Sequence, residues 1–90
     1  PPNTFEVNSN YPNPFNPLTT INYEVPNNAN VLIQIYNVKG QKLIEHHGIN
    51  LNAGYYSYTW DASEYSSGIY YYKTYYNDIF IESNKMILLK

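Results

Sequence analysis

The chain has 90 residues, a length that suits one domain with a single small core and leaves no room for a catalytic cleft between lobes. Its net charge is −2, with five Lys and no Arg, which argues against nucleic-acid binding because phosphate recognition normally needs a basic surface rich in Arg. The chain has no Cys, so disulfide and thiol chemistry are excluded.

The first residues and the apolar runs indicate whether the chain is part of a longer protein and whether it enters a membrane. It starts at Pro1 without a Met or a signal sequence, so we expect it to be the C-terminal part of a longer protein. Residues 1–4 have the character of a linker end, and residues 5–90 are expected to form one domain. The longest apolar run, residues 86–89, is too short to cross a bilayer, so no membrane insertion is predicted.

A proline-rich stretch, here called the proline segment, follows a short first strand. It consists of Asn10, Tyr11, Pro12, Asn13, Pro14, Phe15, Asn16 and Pro17. Each proline lacks a backbone donor and disfavours helix in the residue before it, so the segment must be an ordered, extended loop. Tyr11 and Phe15 are predicted to fold back over the core as apolar plugs, while Asn13 and Asn16 hydrogen-bond to nearby backbone.

Alternation of apolar and polar residues, interrupted by turn residues, predicts seven strands. They lie at residues 5–7, 19–25, 31–36, 41–47, 55–60, 69–76 and 79–89. The predicted core, taken from the inward faces of these strands, includes Ile33, Ile35, Tyr58, Trp60, Tyr70 and Tyr72. Trp60 is placed inward because the only Trp of a small domain is the largest single source of apolar area for its core.

The irregular parts of these strands carry further predictions. Residues 48–54 are expected to connect two strands. Alternation along the last strand predicts that Phe80, Met86 and Leu88 share one face. A bulge near residues 83–84 would break this alternation. Seven short strands without helical periodicity predict an all-β fold, an immunoglobulin-like antiparallel β-sandwich without the disulfide.

Several blocks of the sequence carry a resemblance to a known family. The proline segment followed by Thr19-Thr20-Ile21 resembles the opening of the type A C-terminal sorting domain of the type IX secretion system, found on exported proteins of Bacteroidetes-like bacteria. Later blocks resemble that family in the same order, namely Ile35-Tyr36-Asn37-Val38-Lys39-Gly40, Ala53-Gly54-Tyr55, Thr59-Trp60-Asp61-Ala62, Ser66-Ser67-Gly68-Ile69-Tyr70-Tyr71-Tyr72-Lys73 and Lys85-Met86-Ile87-Leu88-Leu89-Lys90. Lys73 stands where the family commonly has Arg, and Lys cannot form the bidentate contacts of a guanidinium.

The resemblance implies an export signal that catalyses nothing and uses no cofactor. Such a domain follows an N-terminal cargo domain in the same chain, folds in the periplasm and is recognised by the outer-membrane translocon. The cargo then reaches the cell surface or the extracellular space. A sortase-like protease commonly removes the domain and joins the cargo to surface lipopolysaccharide, so the domain would be a substrate of that reaction.

The end of the chain is the predicted recognition site. It comprises Lys85, Met86, Ile87, Leu88, Leu89 and Lys90. A terminal strand with Ile87 and Leu89 on its outer face can offer apolar side chains to a partner or pair edge to edge with it. The alternative is that Met86 and Leu88 make this a plain closing strand of the core. The proline segment likewise has two interpretations, a second recognition site or a structural cap over the sandwich.

Catalysis and metal binding are not predicted. His46 and His47 are adjacent in a strand and therefore point to opposite faces, and no Cys or third His is present to complete a metal site, so a solvated hairpin end is expected for both. Asp61 is predicted to cap backbone donors of the loop that follows it, rather than to act as a general base. The sequence has no nucleophile motif and no phosphate-binding Gly run, so we expect no enzymatic activity.

The tyrosines suggest an alternative function. Tyr55, Tyr71 and Tyr75, if they face outward, would form an aromatic platform on which sugar rings stack. The chain would then be an accessory carbohydrate-binding or adhesive domain of a secreted hydrolase. Tyr is also common in strands because its ring suits a pleated surface, which accounts for the same residues without a ligand.

Overall fold

Two antiparallel β-sheets packed face to face make up the domain, in a computed structural model that describes residues 2–90. The strands are β1 Glu6–Val7, β2 Leu18–Val25, β3 Ala29–Asn37, β4 Lys42–Leu51, β5 Gly54–Asp61, β6 Gly68–Tyr76 and β7 Ile79–Leu88. One sheet has three strands in the order β1-β2-β5, and the other has four in the order β4-β3-β6-β7. Within residues 2–90 there is no helix long and apolar enough to span a bilayer. The predicted immunoglobulin-like sandwich of seven strands is confirmed.

Side-chain alternation decides which residues fill the space between the sheets. In β2, β3 and β6 every second residue is buried, as the period of two in the sequence predicts. The buried core consists of Phe15, Ile21, Tyr23, Val25, Ala29, Val31, Ile33, Ile35, Trp60, Ala62, Tyr70, Tyr72, Met86 and Leu88. Of the six residues predicted for the core, only Tyr58 is half-buried rather than buried, because it lies where β4 and β5 form neighbouring edges of the two sheets.

Gly48 explains why β4 is longer than predicted. Residues 48–54 are predicted to be a connection, whereas β4 continues to Leu51. Gly48 is buried, and a Cβ there would lie 2.5 Å from Leu51 Cδ1 and 3.3 Å from the hydroxyl oxygen of Tyr23. The glycine lets the Leu51 side chain pack over this position, and it does not break the strand.

A β-bulge at Ile81 changes which side chains of β7 face the core. Before the bulge, Phe80 lies opposite Tyr75 with their ring centroids 5.7 Å apart, and it is 52% exposed. After the bulge, Met86 and Leu88 are fully buried. The prediction that Phe80 shares their face is therefore wrong, and the bulge occurs earlier in the strand than predicted.

Trp60 packs against three aromatic rings at one end of the core. The ring centroids of Phe15, Tyr65 and Tyr70 lie 5.8, 5.5 and 5.5 Å from that of Trp60. Only 2% of Trp60 is exposed, and its indole N–H has no hydrogen-bond partner among residues 2–90. The contribution of Trp60 to stability therefore comes from packing and area rather than from a polar contact.

Trp60→Ala is expected to lower the free energy of unfolding by about 3 to 5 kcal/mol, because it leaves a cavity among the surrounding rings. That loss is a large part of the stability of so small a domain, so urea denaturation should show a largely unfolded variant. Trp60→Phe keeps most of the ring and removes the unpartnered donor, so it should lose much less. An Ala variant as stable as the parent would contradict this packing.

Candidate recognition site

Strand β7 lies at the edge of the four-stranded sheet and carries most of the predicted recognition segment. Met86 and Leu88 are fully buried in the core. Lys85 is exposed and Ile87 is half-buried, and both lie on the outer face of the sheet because they alternate with the buried pair. Leu89, just beyond the strand, is 55% exposed. The segment thus combines two core anchors with side chains that remain accessible.

The proline segment runs from one sheet to the other along this side of the sandwich. Tyr11 donates its N–H to the carbonyl of Thr20 in β2 and accepts the N–H of Thr20 in return, both at 2.9 Å. Phe15 then pairs in parallel with Leu88, since its N–H donates to the carbonyl of Ile87 at 2.9 Å and its carbonyl accepts the N–H of Leu89 at 3.0 Å. The segment therefore adds one residue to each sheet and links the two.

Asn13 completes the cover over the edge of β7. Its Oδ1 accepts the N–H of Ile87 at 3.0 Å, and its Nδ2 donates to the carbonyl of Lys85 at 3.2 Å. Together with the bonds of Phe15, these contacts occupy the outward-facing backbone groups around Ile87. A partner strand would have to displace the proline segment to pair with this part of the edge, whereas the outer side chains are already accessible.

The two predicted apolar plugs have different environments. Phe15 is 2% exposed and packs against Trp60, as predicted for a plug. Tyr11 is 79% exposed, so its predicted burial is wrong. The reason is its pairing with Thr20: opposite residues of a β-ladder share a face, and the Thr20 side chain faces outward to Thr59. Asn16 is also exposed, and among residues 2–90 it lacks the backbone bond predicted for it.

Tyr72 fixes the start of the proline segment from inside the sandwich. Its hydroxyl donates to the carbonyl of Asn8 and accepts the N–H of Asn10, both at 3.1 Å. Asn10 is 4% exposed and donates from Nδ2 to the Thr19 hydroxyl at 2.9 Å, which in turn donates to the carbonyl of Pro12 at 2.8 Å. Burial raises the pKa of Tyr72, so its hydroxyl stays protonated and can donate. The sequence does not by itself predict that Thr19 and the Tyr72 hydroxyl hold the proline segment. The available signal is that a buried Tyr hydroxyl needs a hydrogen-bond partner.

The histidines lie on opposite faces of β4, as their adjacency predicts. The ring of His46 stacks on Tyr58 at a centroid distance of 4.5 Å, and its Nε2 lies 3.0 Å from the hydroxyl oxygen of Tyr23. His47 lies on the outer face, with its Nε2 3.0 Å from Glu45 Oε1. The prediction of a solvated position is therefore wrong for His46, which closes the gap between the neighbouring edges β4 and β5. Residues 2–90 bring no three His, Asp or Glu side chains together as a metal site.

The remaining predictions concern Asp61 as a loop cap and three outward tyrosines as a sugar-binding platform. Asp61 accepts hydrogen bonds from the hydroxyl and the N–H of Ser63, which lower the pKa of the Asp61 carboxyl, so it caps the loop as predicted. Tyr71 and Tyr75 lie on the outer face of the four-stranded sheet, whereas Tyr55 lies on the outer face of the three-stranded sheet. The three rings therefore do not form the single platform proposed for sugar binding.

The fold and the position of its last strand define a class of protein, an immunoglobulin-like β-sandwich that presents its C-terminal strand at a sheet edge. The model of one family, described as the secretion system C-terminal sorting domain, matches residues 9–89. The chain belongs to this family, the sorting tails of the type IX secretion system, and membership implies export to the cell surface or the extracellular space. No similarity to a curated protein or to a solved structure was found.

Tyr72→Phe is expected to lower the free energy of unfolding by about 1 to 3 kcal/mol, because the N–H of Asn10 and the carbonyl of Asn8 lose their buried partner. Urea denaturation measures this loss. Tyr71→Phe, on the outer face of the same strand, is the control and should change stability by no more than about 0.5 kcal/mol. Equal losses in the two variants would mean that the Tyr72 hydroxyl does not hold the segment.

Stability should also fall in mild acid through His46. Burial, and secondly the charge of His47, lower the pKa of His46 from its usual 6.5. The unfolded chain therefore binds a proton at a higher pH than the folded chain does. The stability contributed by neutral His46 is complete above 6.5 and is lost as the pH falls towards the folded-state pKa.

The measurement is the free energy of unfolding as a function of pH. His46→Gln removes the titration and should flatten the fall below pH 6.5, whereas His47→Gln, on the solvent face, should retain it. The groups that face His46 are Tyr23 and Tyr58, and His47 acts on it by charge from the opposite face of β4. A profile for His46→Gln that runs parallel to that of the parent would contradict this assignment.

Proposed function

We propose that this domain is a non-catalytic export signal that the type IX machinery recognises through residues 85–90, so that the attached cargo crosses the outer membrane. Family membership supports the sorting role in general. The observation that carries the choice of segment is its geometry: Met86 and Leu88 are anchored in the core, while Lys85, Ile87 and Leu89 are held in a fixed outward array. A preordered array loses little conformational entropy when it binds.

Recognition through side chains fits this geometry better than recognition through the strand edge. The outward backbone groups of Ile87 are already bonded to Asn13 and Phe15. A covered edge also prevents a terminal strand from pairing with other chains before the partner binds. The proline segment therefore acts first as a structural cap, and it supports recognition by holding β7 in place.

The remaining parts of the proposal follow from the family role. Residues 5–90 form the sorting domain, and residues 1–4 form the end of a linker that follows an N-terminal cargo domain; Pro1 lies outside the described residues, and Pro2 is buried. The domain passes through the periplasm, binds the outer-membrane translocon and is then cut off by a sortase-like protease. It is a substrate in that step and supplies no catalytic group.

The test measures export of a cargo fused to the domain in a bacterium that has the type IX system. Deleting residues 85–90 should leave the cargo in the periplasm, but it also removes two core anchors. The sharper variant is Ile87→Asn with Leu89→Asn, which keeps both core anchors and alters one half-buried and one exposed side chain on the outer face. Ile79→Asn with Ile81→Asn, exposed positions near the other end of β7, is the matched control and should be exported. Normal export after both the deletion and the double substitution would refute the proposal.

Carbohydrate binding is a second candidate function, which the outward position of Tyr71 and Tyr75 on one sheet favours. A sugar-binding or adhesive domain would be exported without residues 85–90. It would lose affinity for polysaccharide in Tyr71→Ala or Tyr75→Ala. A sorting domain should not be exported without residues 85–90, and Tyr71→Ala or Tyr75→Ala should leave its affinity for polysaccharide unchanged.

A further inference from the structure

The charged residues of the strands are divided between the two outer faces of the sandwich. The outer face of the four-stranded sheet carries three lysines, Lys42, Lys73 and Lys85. Each of them either alternates with buried residues of its own strand or lies opposite a residue that does. Among the described strand residues, the outer face of the three-stranded sheet has no Lys and carries Glu6, Glu24 and Asp61. The net charge of −2 therefore conceals two faces of opposite sign.

Among the described strand residues, one carboxylate, that of Glu45, lies on the outer face of the four-stranded sheet, and it is already paired. Glu45 Oε2 lies 2.7 Å from Lys42 Nζ and accepts a hydrogen bond from Gln34 Nε2 at 2.8 Å, and these contacts, with His47, lower the pKa of Glu45 to about 2. Lys73 Nζ lies 4.7 Å from the ring centroid of Tyr36. The face thus keeps an excess of positive charge at neutral pH.

An apolar patch adjoins these lysines at the end of the sheet that carries the recognition segment. Ile69 lies directly opposite Ile87, and Tyr71 lies directly opposite Lys85. Ile69 is 40% exposed, Tyr71 36% and Leu89 55%. We call Ile69, Tyr71, Lys85, Ile87 and Leu89 the docking patch.

We infer that the docking patch binds an acidic protein surface that carries exposed aliphatic side chains, so that recognition extends from the terminal segment onto β6. This inference rests on the proposed function and specifies the chemistry of the partner. Aliphatic groups flanked by Lys match an apolar surface with an acidic rim, and the charges set specificity and the rate of association.

Two other occupants fit less well. An anionic polysaccharide would stack on ring faces, but Tyr71 is the one ring among the five residues of the docking patch, and three of the others are aliphatic. The nearby Tyr36 ring is covered by Lys73. A second copy of this chain would offer its acidic face. The exposed apolar side chains of that face do not form one surface, because Leu18 and Tyr55 lie at opposite ends of the β2–β5 pair. Polar residues lie between them, namely Thr20, Asn22, Ser57 and Thr59, so a second copy offers no continuous apolar complement.

The test uses the cargo fusion with substitutions outside residues 85–90. Tyr71→Glu and Lys73→Glu should each lower export about tenfold, because they bring negative charge towards an acidic partner. Tyr71→Lys should lower export less than Tyr71→Glu does, since it keeps the sign of the face. Ser57→Glu and Thr59→Glu, on the outer face of the other sheet, are the matched controls and should be exported as the parent is. Thermal unfolding of each purified domain shows whether the variant is folded.

A photo-crosslinking residue at position 71 identifies the occupant in intact cells. Crosslinks to a translocon protein, lost in the Lys73→Glu background, support the inference. Crosslinks only to lipopolysaccharide, or only to a second copy of the domain, overturn it. Normal export of folded Tyr71→Glu and Lys73→Glu while Ile87→Asn with Leu89→Asn fails overturns the inference and leaves the proposed function standing. Normal export of all three, and of the variant that lacks residues 85–90, refutes both.

Discussion

Hydrogen bonds from the proline segment to both sheets are the constraint on which the rest of the structure depends. The segment bonds to β2 at Tyr11 and to β7 at Asn13 and Phe15, residues spaced two apart, so that every second residue faces a sheet. Prolines occupy the intervening positions, where no N–H is needed. A stretch that forms neither helix nor regular strand thus satisfies the backbone groups that two sheet edges would otherwise leave exposed.

The same contacts divide the terminal strand into structural and accessible halves. Met86 and Leu88 hold β7 against the core, and the bonds from Asn13 and Phe15 hold it from the outside. The backbone that carries the outer side chains is therefore held on both sides. A recognition element on a rigid strand binds with a smaller entropic cost than one on a flexible tail, because it is ordered before the partner arrives.

The alternation of apolar and polar residues correctly predicted which faces of most strands are buried. The positions where the structure differs from the prediction depend on pairing between distant parts of the chain. In β2, β3 and β6 the period of two in the sequence matches burial, because each strand is flanked on both sides and has no bulge at its centre. Gly48 was misjudged because its place in β4 depends on pairing with Val31 in β3, and Phe80 because the bulge at Ile81 depends on the pairing of β7 with β6. The covered edge of the site had no local signal, since Asn13 and Ile87 are 74 residues apart in the sequence.

Charge composition and charge placement support different conclusions about partners. A net charge of −2 with no Arg argues against nucleic acid, yet three of the five Lys share one face on which Glu45 is the opposing charge of the strands. What a partner meets is the local field of a face rather than the sum over the chain. Because Ile69 belongs to β6 and Ile87 to β7, the apolar part of that face exists only when the two strands are paired. A partner that contacts both residues therefore distinguishes a folded sorting domain from an unfolded one, which a linear peptide signal cannot do.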